Sequence, residues 1–374
     1  MSTTRAEVSG FGILLHYTIL IVDNNNRYGF VVESVYPNSP AEMAGLQRGD
    51  IITEIDGRYI DSSNYATYFN NIQANGAASL DLSFIRRSEG GAEYSAKLER
   101  GIYHETPIAY YDVIDVEGYG KRVGYLVYLG FESEYNTELS EVLAQLAAEG
   151  VEELILDLRC NGGGALSSAI VLCSGLVPSS YEGKTLCSIE RNKKNAVSAT
   201  SSEFQLVNTG QHLKLNRLTV ICSGNSASAS ELVIMGLRGL DFPVTLIGST
   251  TEGKNCGMDV TFKTINGKSL EYAPITFMCF DAKGFGGWGE GVVPDVELTL
   301  QSNKYGVYDE YYPLPYTAWG DSKRDIGLAV ALADITGKAI SQKEITRNSM
   351  EEDIAIATTV ARPVMGTRLY EGDI

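Results

Sequence analysis

Two short segments rich in glycine and serine constrain the fold of this chain more than any other feature. The first is Asp157-Leu158-Arg159-Cys160-Asn161-Gly162-Gly163-Gly164, and the second is Gly224-Asn225-Ser226-Ala227-Ser228-Ala229-Ser230-Glu231. Each follows a short apolar run (154–158 and 218–222) and precedes a stretch with helical character, from Leu166 in one case and over 229–237 in the other. Apolar runs of this length are strands buried on both faces, and strand, tight turn and helix in succession is the repeating unit of an α/β fold. Further strands are expected over 123–131 and 244–247. A helix over 137–148 carries Leu139, Val142, Leu143 and Leu146 on one face.

At 374 residues the chain is long enough for two cores, and residues 8–100 have a different texture. They open with Gly10-Phe11-Gly12-Ile13-Leu14-Leu15, and a strand rich in β-branched and aromatic residues follows over 29–36. Asn38-Ser39-Pro40-Ala41 starts a short helix, with Ser39 as N-cap and Pro40 at the first helical position, and Ala44-Gly45-Leu46 ends it. Arg48-Gly49-Asp50 leads into a strand over 51–55, and Asp56-Gly57 signals a hairpin. A helix over 64–73 and an alternating strand over 80–85 follow. This ordered set resembles a PDZ domain, β-rich with two short helices. The resemblance implies a module that binds extended peptides by strand addition, with a backbone nest for a terminal carboxylate at Phe11, Gly12 and Ile13. Tyr65, Phe69 and Ile72 form an apolar helix face that either packs into the core or lines the pocket for the ligand's last side chain. Residues 101–112 read as a linker, 113–340 as the α/β domain, and 341–374 as a tail lying on the surface or mobile.

A formal charge of −17 argues against nucleic acid or an anionic membrane surface as a partner. No run approaches the roughly 20 apolar residues that span a bilayer, and Met1 to Glu7 holds no apolar secretion segment. The cysteines (Cys160, Cys173, Cys187, Cys222, Cys256 and Cys279) are scattered without a C-x-x-C pair, which disfavours a zinc site. They read as small buried apolar residues, with disulfide pairing left open.

A turn that enters a helix leaves backbone N–H groups unpaired, and these stabilise negative charge together with the helix dipole. Two such turns side by side would suit an oxyanion hole with a serine hydroxyl at its mouth. The glycine run alone also fits a plain tight turn; a phosphate loop is disfavoured because no Lys-Ser/Thr follows. A nucleophilic serine needs a base. The histidines, His16, His104 and His212, sit in no glycine turn or charged constellation and read as structural or surface residues. Lys254, in Gly253-Lys254-Asn255 after the strand over 244–247, is the other option, although a loop lysine taken alone is a solvated charge.

The stretch from Gly10 to about Gly337 resembles the carboxyl-terminal processing (tail-specific) serine peptidases, which join a PDZ domain to a crotonase/Clp-like α/β domain. The residues that carry the resemblance are Val123-Gly124-Tyr125 with Phe131, the Asp157-Leu158-Arg159 glycine turn, and Ser226-Ala227-Ser228-Ala229-Ser230-Glu231. Gly253-Lys254 and Gly289-Glu290-Gly291-Val292-Val293-Pro294-Asp295 complete the set. By motif position the resemblance implies Ser228 as nucleophile, with Ser226 and Ser230 as local competitors, and Lys254 as general base. It implies oxyanion donors at the backbone N–H groups of Gly163 and Ala229, with Asp157 and Arg159 bracing the turn. No metal or organic cofactor is implied. The implied partners are unstructured protein or peptide substrates, engaged by their C-termini, and the implied location is the bacterial periplasm or cell envelope, with a membrane tether only through a removed leader.

A lysine base must be desolvated to lower its pKa from about 10.4. Many relatives orient the amine with a glutamine four residues on, where this chain has Met258, so Asn255 or a backbone carbonyl must take that role. Some also carry an aspartate in the helix after the serine, where this chain has Gly239. The competing readings are a catalytically silent peptide-binding protein and an apolar-ligand carrier on the same fold.

Overall fold

The computed structural model describes residues 7–298, 317–338 and 355–359, apart from stretches at 23–24, 74–76, 87–88, 90, 192–200, 211–212, 266–267 and 324. The chain divides into two compact units. The first holds the elements up to Ala109 and takes in residues 317–333 and Ala355–Thr359; the second runs from Tyr110 to Glu297 and takes in Asp334–Gly337.

The first unit begins with β1 (Glu7–Gly10), the long hairpin of β2 (Ile13–Val22) and β3 (Asn25–Val35), and α1 (Pro40–Met43). It continues with β4 (Asp50–Ile55), β5 (Arg58–Tyr59), α2 (Tyr65–Gln73), β6 (Ser79–Arg86), β7 (Ala92–Glu99) and β8 (Gly101–His104). Ser39 caps α1 as its position predicts, its Oγ accepting from the Glu42 N–H at 3.3 Å. Along β6 side chains alternate, and Leu80, Leu82 and Phe84 turn into a core with Phe30, Val32, Ile52 and Ile55. Tyr65, Phe69 and Ile72 pack against that same core, and Phe69 lies 6.0 Å from Phe30, ring to ring. Ile72 is buried there, and Tyr65 and Phe69 are partly buried. Asp50 is buried and chelated by Arg86 through Nε at 3.0 Å and Nη2 at 2.9 Å, a bidentate pair that anchors the start of β4 to the end of β6.

The stretch 101–112 is not an irregular linker. Gly101–His104 is β8, paired antiparallel with β1, and most of the remainder belongs to β9 (Ile108–Ile114). β8 finds its partner far away in sequence, whereas β9 lies at the edge of a sheet beside the next strand of the chain, Arg122–Tyr128.

In the second unit β9 leads to β10 (Arg122–Tyr128), α3 (Asn136–Ala148), β11 (Val151–Asp157), α4 (Leu166–Leu176), β12 (Thr185–Arg191) and β13 (Ser201–Gln205). Then come β14 (Leu218–Cys222), α5 (Ala229–Gly239), β15 (Val244–Gly248), β16 (Cys256–Met258), β17 (Thr261–Ile265), β18 (Lys268–Tyr272), β19 (Ile275–Asp281) and β20 (Val296–Glu297). A six-stranded sheet is ordered β20-β15-β14-β11-β10-β9, and from β20 to β10 each neighbouring pair is parallel. β14 is buried along its whole length, as a central parallel strand must be. A second, antiparallel sheet runs β13-β12-β19-β16. The helix α5 packs against both β15 and this second sheet. At Gly239 a Cβ would come within 2.8 Å of the Asp281 side chain, so there is no room here for an aspartate.

After the second unit come α6 (Ile326–Thr336) and, returning to the sheet of the first unit, β21 (Ala355–Thr359). A strand in the tail was not expected from its composition; the rest of residues 339–374 lies outside the described residues. No helix among the described residues is long and apolar enough to cross a membrane.

Candidate active site

β11 and β14 are adjacent and parallel, with Asp157 opposite Ile221. The two glycine- and serine-rich turns therefore leave the sheet at the same end, at the carboxyl ends of the strands, where ligands of open α/β sheets bind. Serine hydroxyls tie the turns together. Ser226 Oγ donates to the Leu158 carbonyl at 2.8 Å while accepting from the Ser223 N–H at 3.0 Å. Ser230 Oγ donates to the Asn161 carbonyl at 2.9 Å, and Ser223 Oγ to the Arg159 carbonyl at 2.6 Å.

Of the three alternating serines, Ser226 and Ser230 are thus engaged as clamps, and Ser228 is not. Its side chain is buried and Oγ has no hydrogen-bond partner among the described residues. Its backbone stands at φ 59°, ψ −111°, a conformation that costs a non-glycine residue about 1–3 kcal/mol and persists only where the surroundings hold it. It sits immediately before α5. The N–H of Ala229, the first residue of that helix, has no acceptor among the described residues, as expected for a helix N-terminus.

Glu231 is the residue that sequence reasoning passed over. Its buried carboxylate accepts the Ser228 N–H at 2.8 Å and the Lys254 N–H at 2.8 Å on Oε2, and Thr251 Oγ1 at 2.6 Å and the Gly253 N–H at 2.7 Å on Oε1. One carboxylate oxygen thereby holds the backbones of Ser228 and Lys254 together. Burial pushes this carboxyl above the ordinary carboxylate range, and the four hydrogen bonds oppose that rise. A signal was available: Ser228-x-x-Glu231 is the capping-box pattern.

The Lys254 loop is held on its other side by the 289–295 motif. The Val292 N–H donates to Thr251 Oγ1 at 2.7 Å, and at Gly253, with φ 93°, a Cβ would meet the Gly289 carbonyl at 2.5 Å. Glu252 N–H reaches the Ser226 carbonyl at 3.0 Å. Since Ser228 Oγ is without a hydrogen-bond partner among the described residues, no hydrogen bond joins it to the Lys254 side chain. Asn255 directs its amide to the Gly286 carbonyl at 2.5 Å, and Met258 lies on β16 opposite Ile275.

Gly163 differs from expectation. Its N–H donates to Asn161 Oδ1 at 2.9 Å, a local side-chain bond two residues away, and is not left for an oxyanion. What Gly163 provides is proximity: at φ 103° its Cβ position lies 2.6 Å from Ser228 Cβ and 2.8 Å from the Ala227 carbonyl. Gly163→Ala is therefore expected to lower turnover of any serine-dependent reaction at least about 100-fold, by displacing Ser228. A chain that stays folded by circular dichroism and turns over normally would contradict this.

The remaining signature residues support the turn. Gly164 has no room for a Cβ, which would lie 2.1 Å from the Phe131 carbonyl. The Ala165 N–H donates to that same carbonyl at 2.6 Å. Arg159 and Asp157 form a fully buried pair, joined by Nε at 2.9 Å, and Tyr125 Oη donates to Asp157 at 2.7 Å. As expected, they brace the turn.

A model of peptidase family S41 matches residues 122–298, and a model of the PDZ domain matches residues 31–86. Residues 122–298 form a domain of peptidase family S41, and residues 31–86 belong to a PDZ domain. Among curated relatives, the "Probable CtpA-like serine protease" of Staphylococcus aureus (strain bovine RF122 / ET3-1) is 26% identical over 275 residues, 74% of this chain and 51% of that protein. The protein of the same name from Staphylococcus epidermidis (strain ATCC 12228 / FDA PCI 1200) is 26% identical over 268 residues, 72% of this chain and 50% of its own length. The chain thus spans about half the length of the curated relatives it matches. Among solved structures, the "Putative S41 protease from Bacteroides fragilis NCTC 9343" shares the fold with a TM-score of 0.68 at 22% identity, covering 91% of this chain and 87% of that one.

The S41 domain holds the site described above, and His16 and His104 belong to the other unit; His212 lies outside the described residues. Among the described residues no group of three or more His, Cys, Asp or Glu side chains is gathered for a metal ion. All six cysteines are free thiols. Burial pushes Cys187 up to about 12 and raises Cys173, Cys222 and Cys279 as well, so these four are inert packing groups.

Proposed function

We propose that this chain hydrolyses peptide bonds by acyl transfer, with Ser228 as nucleophile and Lys254 as general base. The observation that carries the reading is Ser228 itself: a buried, unpartnered hydroxyl on a left-handed turn at the start of α5, flanked by two serines whose hydroxyls are already engaged. A strained strand-to-helix turn is how a hydrolase presents a nucleophilic serine. The Lys254 loop is tethered to the same turn through Glu231. Catalytic hydrogen bonds are often open without substrate and close in the bound state.

In the reaction, Ser228 Oγ attacks the scissile carbonyl while the neutral amine of Lys254 takes its proton. The carbonyl oxygen becomes an oxyanion stabilised by the Ala229 N–H and the N-terminal end of α5. Lysine then returns the proton to the departing amine, and water, deprotonated in the same way, releases the acyl group.

Peptide substrates are presented by the PDZ domain. The Phe11 carbonyl accepts from the Ala41 N–H at 2.9 Å, and the Gly12 carbonyl from the Tyr36 N–H at 2.9 Å and Ser39 Oγ at 3.2 Å. In a trans peptide the next N–H points opposite its carbonyl, so the Gly12 and Ile13 N–H groups face away from α1. That orientation suits capture of a terminal carboxylate with an extended chain laid along β2. Location in the bacterial cell envelope, by resemblance, is part of the same proposal.

The test is a fluorophosphonate probe with a fluorogenic peptide assay. Labelling confined to Ser228 is expected, and Lys254→Arg should lose at least about 1,000-fold in kcat because guanidinium stays protonated. An unlabelled chain would favour the silent peptide-binding reading, and undiminished turnover in Lys254→Arg would remove lysine as the base.

A further inference from the structure

The loop that carries Lys254 runs directly into β16, the outer strand of the antiparallel sheet β13-β12-β19-β16. One edge of β16 is taken by β19, with Cys256 opposite Met278, Gly257 opposite Phe277 and Met258 opposite Ile275. Among the described residues no strand pairs with the other edge. The phase of the ladder decides what that edge offers. The Cys279 N–H donates to the Asn255 carbonyl at 2.8 Å. Residues directly opposed in an antiparallel pair alternate between exchanging hydrogen bonds and turning their polar groups outward. Asn255 and Gly257 are therefore bonded to β19, and Cys256 between them turns both its N–H and its C=O away from that strand.

Three features suit this edge to a substrate chain. It lies beside the reacting groups: the Lys254 N–H, two residues before Cys256, shares Glu231 Oε2 with the Ser228 N–H. An extended chain advances about 3.3 Å per residue and lies about 4.8 Å from its neighbour, so a peptide paired with Cys256 reaches the Ser228 turn within a few residues. The edge also carries no guard. Edge strands are ordinarily protected by charged side chains or proline, and Cys256-Gly257-Met258 has neither. Its surroundings, finally, are apolar. Met278 and Ile275, opposite Cys256 and Met258, are exposed, as are Phe262, Leu270 and Tyr272 in the β17–β18 hairpin that follows. Exposed apolar surface of this kind marks a place where another chain is bound.

We propose that β16 is the docking strand for the main chain of the substrate. The substrate residue opposite Cys256 accepts the Cys256 N–H at its carbonyl and donates its own N–H to the Cys256 carbonyl, which lays the extended chain beside Ser228. Both bonds are made by backbone, so the strand accepts many side-chain sequences but needs a segment with unpaired N–H groups. An unfolded segment qualifies, and one already paired in a helix or sheet does not. Proline at the facing position is excluded, because it has no N–H to give. This rests on the reading of Ser228 and Lys254 as nucleophile and base.

The experiment compares the full chain with its Cys256→Pro variant. Proline removes the outward N–H of residue 256 but no bond to β19. Hydrolysis is followed on a fluorogenic peptide of about eight residues and on a series in which each amide in turn is N-methylated. A small fluorophosphonate reports separately on Ser228 and Lys254. Cys256→Pro is expected to lose at least about tenfold in kcat/KM on the peptide while the labelling rate holds. In the unmodified chain one N-methyl position should cost at least about tenfold, with the positions on either side nearly neutral. That penalty should shrink in Cys256→Pro, because both changes act on one pair of residues. Undiminished peptide turnover in Cys256→Pro, or an equal N-methyl penalty in both proteins, overturns the proposal. So does a dimer in solution that Cys256→Pro dissociates, which would assign the edge to a second copy of the chain. Where labelling slows as well, proline has moved Lys254 and the N-methyl series on the unmodified chain decides: one sensitive position supports the docking strand, and none overturns it. A chain neither labelled nor active fails on the peptidase reading itself. A labelled, active chain without these effects fails on this inference alone.

Discussion

Ser228→Ala should lose at least about 10⁴-fold in kcat/KM on an unfolded protein substrate, and should do so without loss of stability. The hydroxyl makes no hydrogen bond among the described residues, so its removal leaves no partner unsatisfied. The neighbouring serines should behave in the opposite way. Ser226→Ala strips a donor from the Leu158 carbonyl and an acceptor from the Ser223 N–H, and Ser230→Ala strips a donor from the Asn161 carbonyl. Ser226→Ala leaves the buried Ser223 N–H unpaired, at a cost of about 1–3 kcal/mol, whereas Ser230→Ala loses one hydrogen bond, about 1 kcal/mol, because the Asn161 carbonyl keeps the Ala227 N–H. Urea denaturation alongside steady-state kinetics separates the two patterns. Full activity in Ser228→Ala, with loss in Ser226→Ala or Ser230→Ala and no change in stability, would move the nucleophile by two residues.

The second large effect is expected at Glu231. Each of its carboxylate oxygens accepts two hydrogen bonds, so a glutamine, whose NH2 accepts none, must fail one pair of donors whichever way it turns. Thr251 can rotate its hydroxyl to accept, but the backbone N–H groups of Gly253, Lys254 and Ser228 cannot. Glu231→Gln should therefore cost about 2 kcal/mol of stability. Measured well below its melting temperature, the folded variant should still lose about 100-fold in kcat with KM little changed, because either the Gly253 N–H or those of Ser228 and Lys254 lose their acceptor, and in both cases the loop that carries Lys254 shifts. A variant destabilised by that amount but with unchanged kcat would reduce Glu231 to a helix cap.

Much of the secondary structure was legible because its signals are local. The apolar stripe of α3, the Ser39-Pro40 start of α1 and the buried runs of β11 and β14 match the observed elements to within a few residues. The strands of the second sheet were not anticipated. β12 pairs with β19, Cys187 opposite Asp281, across a long separation in the chain, and neither strand alternates cleanly enough to announce itself. The same reason hid β8 and β21, whose partners are remote.

At the site, residue types and order sufficed to nominate two turns, a run of three serines and one lysine, because turn chemistry and motif spacing are written along the chain. Motif position pointed to Ser228, but residue type alone does not set it apart from its neighbours. Ser226, Ser228 and Ser230 are chemically identical in sequence, and they separate only when the first turn is brought alongside to accept two of their hydroxyls while the third is held at φ 59°. Gly163 illustrates the converse. Its position in the turn pointed to a free N–H, yet folding gives that N–H to Asn161 and makes the missing Cβ the important property. Glu231 was visible as a helix cap, but its hold on Lys254 exists only across the gap between two loops. Local conformation follows from neighbouring residues, whereas the pairing of buried polar groups follows from which distant segments the sheet places side by side.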